Sequence, residues 1–294
     1  MPRVGPERFI TGDAVRTALT VPQRARMMPV DGVRGRLRRR VWNAVVFTNR
    51  AARGDSMITV RKPESIYQAQ GEIENGAFQG RWHFSFDQYY DPNHSGFGTL
   101  RVLNDDTLSP GAVWPLHPHR EIEVVTYCAG GEFRHADERG AGGVLKKGWV
   151  QHTSVGRGMW HSEINNLPDE PMRFIQMWFM PSSPGLEPLV EQRPVERAER
   201  TNRFLALVSS AHPGAVPIHS DAHVLASFLQ EGHRARYAVT EGHGVYLYVW
   251  EGGPVEVNRH LVPGLGAATI VNEPELRAHA RADSEILLVE VPLG

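Results

Sequence analysis

The chain has only one cysteine, Cys128, in 294 residues, so it cannot form an internal disulfide. This excludes the small disulfide-stapled folds and is typical of a reducing compartment, so we expect a cytoplasmic location. No apolar run reaches the roughly 18 residues that a membrane-spanning helix needs, and we expect no membrane partner. A composition of 41% hydrophobic and 22% charged residues indicates an ordinary globular protein.

Lysine is absent from the first 56 residues, which nevertheless contain twelve arginines and only four acidic residues, a balance of +8. The rest of the chain has a balance of −9. A protein body this acidic is a poor candidate for binding nucleic acid through phosphate contacts, and we expect no nucleic-acid partner.

Three interpretations of the arginine-rich segment 1–56 are open. The run 38–40 followed by the apolar segment 41–47 is compatible with a twin-arginine export signal, although the apolar segment is short and interrupted by Asn43. The segment is also compatible with a nucleic-acid-binding arm. We favour a third interpretation, in which Met57 is the true start and residues 1–56 are a disordered extension or a start-site artefact.

From Met57 onward, short apolar segments alternate with turns rich in glycine and proline, which predicts an all-β chain. Residues 121–127 alternate in polarity, and residues 173–180 are apolar almost throughout, as in a strand buried on both faces. A charged, proline-containing segment, 188–202, predicts a connector between two domains, 57–190 and 191–294. Both domains contain a strand that runs into a Gly-Gly turn, which indicates a distant duplication of one jelly roll.

Two short motifs place metal-binding side chains two residues apart: His117-Pro-His119 and His161-Ser-Glu163. Residues two apart on a β-strand point to the same face. Two facing strands would therefore aim three imidazoles and one carboxylate at a single point, a ligand set that suits a first-row transition metal. A lone histidine pair of this kind is more often a surface feature, but two such motifs favour a metal site.

The segment from His117 to Gly130 matches the spacing H-x-H-x₃-E-x₆-G, the first signature of the cupin superfamily. With segments 82–93, 101–106 and 156–163, the chain resembles the pirin family, and within it the bacterial pirin-like quercetin 2,3-dioxygenases. The resemblance covers residues 57–294 and weakens beyond about 195. It implies an all-β fold of two tandem cupin domains, each a double-stranded β-helix or jelly roll.

The resemblance also implies a ligand set for one divalent metal ion. Most cupins carry a histidine three residues after the glycine equivalent to Gly148, where this chain has Gln151. In pirins the later His-x-Glu replaces it, so the implied ligands are His117, His119, His161 and Glu163. Fe²⁺ is the favoured ion, and Cu, Ni, Mn and Zn are open. Glu123 matches a carboxylate that binds metal in other cupins but not in pirins, and we expect it to orient a ligand imidazole or position a proton.

The activity implied by the resemblance is the O₂-dependent opening of a flavonol such as quercetin, with loss of carbon monoxide. Glu163 or Glu123 would be the base that deprotonates the substrate. The alternative function is that of a metal-dependent redox sensor that binds a regulatory protein, as eukaryotic pirins are thought to do. We expect a monomer in either case.

The C-terminal half has lost the metal-binding residues in the duplication. The positions that match the N-terminal ligands carry Val239, Glu241 and Arg281, and only His279 remains. This predicts a C-terminal cupin domain without a metal site. Among the other histidines, His83 is predicted to lie in the core, and three are expected at the surface or the rim of the site: His94, His135 and His152.

Overall fold

In a computed structural model, which describes residues 56–140 and 142–294, almost every regular element is a β-strand. The prediction of an all-β chain is therefore confirmed. The arginine-rich extension predicted for residues 1–56 lies outside the described residues except for Ser56. Among the described residues, no helix is long and apolar enough to cross a membrane.

The first twelve strands run to Arg193. They are β1 (Met57–Arg61), β2 (Tyr67–Ile73), β3 (Gly76–Trp82), β4 (Leu100–Leu108), β5 (Val113–His119), β6 (Glu123–Gly130), β7 (Glu132–Asp137), β8 (Gly142–Lys146), β9 (Val150–Ser154), β10 (Met159–Asn165), β11 (Met172–Phe179) and β12 (Leu189–Arg193).

Nine further strands form the C-terminal part. They are β13 (Leu205–Ser209), β14 (His223–Leu229), β15 (Arg234–Ala238), β16 (His243–Gly252), β17 (Val255–Val257), β18 (His260–Val262), β19 (Ala267–Val271), β20 (Glu275–Ala280) and β21 (Ser284–Pro292). Two short 3₁₀ helices, Pro63–Ser65 and Arg197–Arg200, complete the described elements.

Among the described residues the strands form two pairs of sheets, one pair for each jelly roll. In the N-terminal pair, a seven-stranded sheet of order β12-β9-β6-β11-β4-β3-β2 faces a four-stranded sheet of order β5-β10-β7-β8. In the C-terminal pair, a six-stranded sheet of order β1-β19-β16-β21-β14-β13 faces a four-stranded sheet of order β15-β20-β17-β18. The two tandem cupin domains predicted from the sequence are therefore confirmed as the fold.

The two large sheets pack against each other, and their contact is the largest apolar core of the described chain. Tyr127 and Phe179 from the seven-stranded sheet share this core with Tyr248 and Val289 from the six-stranded sheet, all fully or almost fully buried. Residues on the other face of each large sheet line the interior of its own jelly roll. Strands of these sheets are consequently buried on both faces, as predicted for residues 173–180.

The sheets do not follow the predicted division at 190/191, which stays a prediction as a domain boundary. Strand β1 precedes the N-terminal jelly roll in sequence, but it pairs with β19 at the edge of the C-terminal sheet. Strand β12 crosses the predicted boundary and pairs with β9. The first part of the segment predicted as a connector, residues 189–193, is therefore built into the N-terminal sheet, because its backbone extends that sheet's ladder of hydrogen bonds.

Candidate metal centre

Three of the predicted ligands converge between β5 and β10. These strands are antiparallel neighbours, and their register places His161 opposite His117. The ligand nitrogens of His117, His119 and His161 lie within 4.8 Å of one another. Their ring centroids are 4.5 to 5.0 Å apart. The alternation of side chains along each strand therefore brings the three imidazoles together, as the spacing predicted.

The histidines are arranged as neutral ligands rather than as charged surface groups. Burial, reinforced by the neighbouring imidazoles, lowers the pKa of His119 to about 4 and that of His161 to about 2. Nδ1 of His117 lies 2.7 Å from the carbonyl oxygen of Pro115, to which it donates, so Nε2 keeps its lone pair. At neutral pH the rings of His119 and His161 can therefore offer a nitrogen lone pair to a cation.

His161 provides the test of whether a metal fits. Its Nε2 is buried and has no hydrogen-bond partner among the described residues. Its Nδ1 lies 2.8 Å from Nε2 of His135, a contact of the kind that orients metal-binding histidines. A buried imidazole nitrogen without a partner is costly unless a ligand satisfies it. With the rings of His117 and His119 and a nearby carboxylate, His161 forms a donor set for a first-row divalent ion, so the residues present fit a metal.

Glu163 lies beside the three histidines and lines the same cavity as His117 and His119. Its side chain is buried, and Nε2 of Gln176 donates a hydrogen bond to its Oε1. Gln176 in turn accepts a hydrogen bond of 2.7 Å from the indole Nε1 of Trp178. Burial raises the pKa of Glu163, and His117 and Gln176 oppose that rise. The two hydrogen bonds, from Trp178 to Gln176 and from Gln176 to Oε1 of Glu163, hold the carboxylate in one orientation. Oε2 lies outside this chain of hydrogen bonds.

The cavity has a volume of about 80 Å³ and is lined by four aromatic side chains on its apolar side: Phe86, Trp114, Phe174 and Trp178. Its polar lining includes a second buried carboxyl group, Asp106, which accepts a hydrogen bond of 3.1 Å from Trp82 Nε1. Burial raises the pKa of Asp106 well above its ordinary value. The site thus combines an apolar wall with two carboxyl groups that hold protons more tightly than exposed ones do.

The structure does not bring Glu123 to this cluster. Glu123 is fully buried on β6, on the face that packs against the C-terminal half. Its Oε1 accepts hydrogen bonds from His152 Nε2 at 3.2 Å and from the backbone N–H of His219 at 2.8 Å. Its Oε2 accepts from the backbone N–H of Ser220 at 2.6 Å. The carboxylate therefore ties the C-terminal segment 219–220 to the N-terminal sheet, and its predicted role beside a ligand imidazole does not match this placement.

The pKa of Glu123 also argues against a role as base. Burial opposes its ionisation, but the hydrogen bonds from His152, His219 and Ser220 outweigh burial and lower the pKa to about 2. A carboxylate this acidic is a weak base at neutral pH. Glu163, with its raised pKa, is the carboxylate of the two that suits proton transfer.

Sequence reasoning missed several residues of the site. His135 and His152 were expected at the surface or rim, but both are buried, because β7 and β9 lie inside their sheets. His94 is half-buried and lies 2.7 Å from Asp91, and His83 is buried in the core as predicted. Gln176 could have been noticed as the one amide within the apolar segment 173–180, since a buried polar side chain needs a partner.

A larger groove, of about 610 Å³, lies on the outer face of β15 and β20. It is lined by charged side chains, among them Arg277, which pairs with Glu275. His279, the one histidine that the duplication retains, lines this groove and lies beside the inward-facing Ala278 and Ala280. A one-residue difference in register places it on the opposite face from His161, so it has no equivalent role.

Comparisons with known proteins find two matching family models and similar named proteins. The family model described as pirin matches residues 65–179, and one described as the quercetinase C-terminal cupin domain matches residues 206–291. A Pseudomonas aeruginosa protein provisionally named as a quercetin 2,3-dioxygenase is 40% identical over 223 residues, covering 75% of this chain and 95% of that protein. The Escherichia coli K12 protein named quercetin 2,3-dioxygenase is 32% identical over 237 residues, covering 80% and 99%.

A solved structure shares the whole fold. The bacterial pirin YhhW from Escherichia coli, in complex with nickel(II), aligns with a TM-score of 0.74 at 30% identity. The alignment covers 81% of this chain and 100% of that one.

Proposed function

Because this chain belongs to the pirin family, we propose that it is a metal-dependent quercetin 2,3-dioxygenase, which opens a flavonol with O₂ and releases carbon monoxide. The observation that carries the proposal is the position of the imidazoles of His117, His119 and His161 beside the carboxylate of Glu163 at an aromatic-walled cavity. Relatives named for this activity and the nickel complex of a related pirin support it.

In this proposal His117, His119 and His161 would hold the ion by imidazole nitrogens and Glu163 by a carboxylate oxygen. A bound divalent transition metal supplies a Lewis acid and a centre for O₂ chemistry. Fe²⁺ is the ion we favour, with Ni, Cu, Mn and Zn as alternatives, because this N/O donor set suits all of them.

Glu163 is the proposed base for the substrate. Its carboxylate, held by the hydrogen bond from Gln176 to Oε1, would bind the ion through one oxygen and accept the proton of the flavonol 3-hydroxyl on the other. Because burial raises the pKa of Glu163, the carboxylate binds that proton more tightly than an exposed glutamate would. The aromatic wall excludes water from the reacting edge of the substrate.

The size of the cavity restricts how a flavonol enters. Its volume of about 80 Å³ is well below the few hundred Å³ of typical ligand pockets. Only one edge of the three-ring substrate fits in this conformation, and Phe86 and Trp178 form part of the wall that limits it. These two rings contact each other edge to face at 5.3 Å between centroids. Binding of the whole substrate therefore requires them to move apart.

The test is loss of flavonol absorbance by protein reconstituted with Fe, Ni, Cu or Mn, with and without O₂, together with release of carbon monoxide. We expect O₂-dependent turnover that falls by at least 100-fold in Glu163→Gln and in His161→Ala. Glu187→Gln, at an exposed glutamate that pairs with Arg157, is the matched control and should keep full activity. Metal content is measured for each variant, so that lost binding and lost proton transfer are separated.

Two results would contradict the proposal. The first is absence of turnover with every metal, or turnover that does not need O₂. The second is an unchanged rate in Glu163→Gln at equal metal content, which would remove Glu163 from the reaction.

A regulatory protein-binding role is the alternative, and one surface feature favours it. Trp160 and Leu116, on the outer face of the ligand strands, are 49% and 54% exposed. If Trp160→Glu abolishes the binding of a protein partner and leaves flavonol turnover unchanged, that result would support this alternative.

A further inference from the structure

A second cluster of metal-binding side chains lies in the C-terminal half, at one end of its six-stranded sheet. His223 and His243 are the first residues of β14 and β16, and Glu290 is opposite His223 in the neighbouring strand β21. Each of them lies two residues from a member of the C-terminal interior core: Leu225, Val245 and Leu288. Because strand residues two apart share a face, the three side chains point into the C-terminal jelly roll at its rim.

Donor atoms of three residues converge there. Asp221, His223 and His243 each offer one ligand atom, and these atoms lie within 4.8 Å of one another. Oδ2 of Asp221 is 3.4 Å from Nε2 of His243. Two imidazoles and one carboxylate are a donor set that first-row divalent ions take, with positions left open for water.

The other ring nitrogens contact groups suited to orienting the two imidazoles. Nδ1 of His223 is 2.7 Å from the hydroxyl oxygen of Ser209. Nδ1 of His243 is 3.2 Å from Oε1 of Glu290, a fully buried carboxylate that also accepts from the backbone N–H of Thr240 at 2.8 Å. Metal-binding histidines are typically held in this way, by a carboxylate or an oxygen on the nitrogen that does not bind the metal.

The contacts of His243 leave Nε2 as its nitrogen for a ligand. The side chain is only 8% exposed. Its Nδ1 faces Glu290, although the geometry is not that of a regular hydrogen bond. Its Nε2 faces Oδ2 of Asp221, so a cation between these two atoms would bind this nitrogen.

We propose that Asp221, His223 and His243 form a second metal site, for a first-row divalent transition ion such as Zn²⁺ or Ni²⁺. The site is separate from the N-terminal cluster, because His223 and His243 lie on the large sheet of the other jelly roll and Asp221 lies just before β14. The expectation of a metal-free C-terminal domain came from four positions on or next to β15 and β20 of the small sheet, and those positions do not include any of the three residues. The ion would join the segment that carries Asp221 to β16.

The experiment measures how many metal ions the full-length chain binds. Wild-type protein and three variants, His243→Gln, Asp221→Asn and His161→Ala, are dialysed against Zn²⁺ or Ni²⁺, and bound metal is counted by mass spectrometry. His260→Gln, at an exposed histidine of the same half, is the matched control. Asp221 is 60% exposed, so Asp221→Asn gives a second variant that leaves the buried packing intact.

We expect His243→Gln to lose one equivalent of metal and Asp221→Asn to weaken that equivalent at least tenfold, while His260→Gln matches the wild type. His161→Ala should keep this equivalent and lose a different one. Equal stoichiometry and affinity in wild type, His243→Gln and Asp221→Asn would overturn the proposal. A single bound ion that disappears in His161→Ala and persists in His243→Gln would overturn it as well, without touching the proposed function.

Discussion

Replacing Glu123 by glutamine tests whether this carboxylate joins the two halves of the molecule or supports the metal. The two oxygens of Glu123 accept five hydrogen bonds of 2.6 to 3.2 Å, from the ring of His152 and from both the backbone N–H and the side chain of His219 and of Ser220. Glutamine keeps the shape but turns one oxygen into an NH₂ group that faces a backbone N–H. One buried donor would then lose its acceptor, and the compensating negative charge would disappear.

Two estimates of the loss of folding stability in Glu123→Gln agree. Hydrogen bonding lowers the pKa of Glu123 from 4.5 to about 2, which corresponds to roughly 3 kcal/mol of native-state stabilisation at about 1.4 kcal/mol per tenfold change in proton affinity. Removing one partner from a buried charged pair costs about 3–5 kcal/mol. For a domain of this size, a loss of 3 kcal/mol lowers the melting temperature by about 6–12 °C.

The pH dependence has a defined sign. Because the pKa of Glu123 is lower in the folded state, its stabilisation is fully present above pH 4.5 and is lost as the pH falls towards 2. The difference in melting temperature between wild type and Glu123→Gln should therefore be constant from pH 7 to pH 5 and shrink below pH 4.5.

Thermal and urea unfolding of metal-free protein measure the effect, with Glu163→Gln as the matched control. Burial raises the pKa of Glu163, so replacing it by a neutral amide should leave the stability of the metal-free protein unchanged or slightly higher. Metal affinity should change in the other variant instead: it should stay within twofold of wild type in Glu123→Gln and be strongly reduced in Glu163→Gln.

The reasoning would be refuted if Glu123→Gln melted within 1 °C of the wild type. It would also be refuted if the variant kept its stability but lost metal affinity by 10- to 100-fold, the range expected for a group that orients a metal ligand.

Two further predictions concern stability. Arg200 and Glu285 form a buried ion pair. Arg200→Met should therefore lower the free energy of unfolding in urea by about 3–5 kcal/mol, and the double variant with Glu285→Leu should recover most of that loss. Equal losses in the single and double variants would contradict this. Gly156→Ala would place a Cβ atom 1.9 Å from the carbonyl oxygen of Leu186 at a φ of +52°, whereas Gly185→Ala, at a φ of +76°, meets nothing within 4 Å. Calorimetry should therefore find a loss of about 1 kcal/mol at 185 and a clearly larger one at 156, and equal losses would show that contact with Leu186 does not matter.

The convergence of the three N-terminal histidines could be predicted from the sequence because it depends on local geometry. Side chains two apart on a strand share a face in any sheet, so His117 and His119 had to point the same way, as did His161 and Glu163. That the two strands share one site was implied by the resemblance to the pirin family, and the pairing of β5 with β10 agrees with it. The all-β class followed in the same way from short apolar segments between turns.

The role of Glu123 could not be predicted, because β6 is buried on both faces. Seven of its eight residues are buried, so its burial pattern carries no alternation that tells the inner face from the outer one. Motif spacing alone placed Glu123 near the metal. The packing of the second jelly roll against the first decides that it faces His219 and Ser220 instead.

The sequence by itself thus determined the contacts of the site that join residues two positions apart on one strand or opposite each other on a pair of strands. Only the tertiary structure decided which groups meet at longer range: Gln176 with Glu163 between two sheets, and Asp221, in the segment before β14, with His243. Such contacts join residues that are distant along the chain, and they depend on how sheets twist and pack. No periodicity records that packing, because it is selected by the shape of the whole core rather than by the order of residues along one strand.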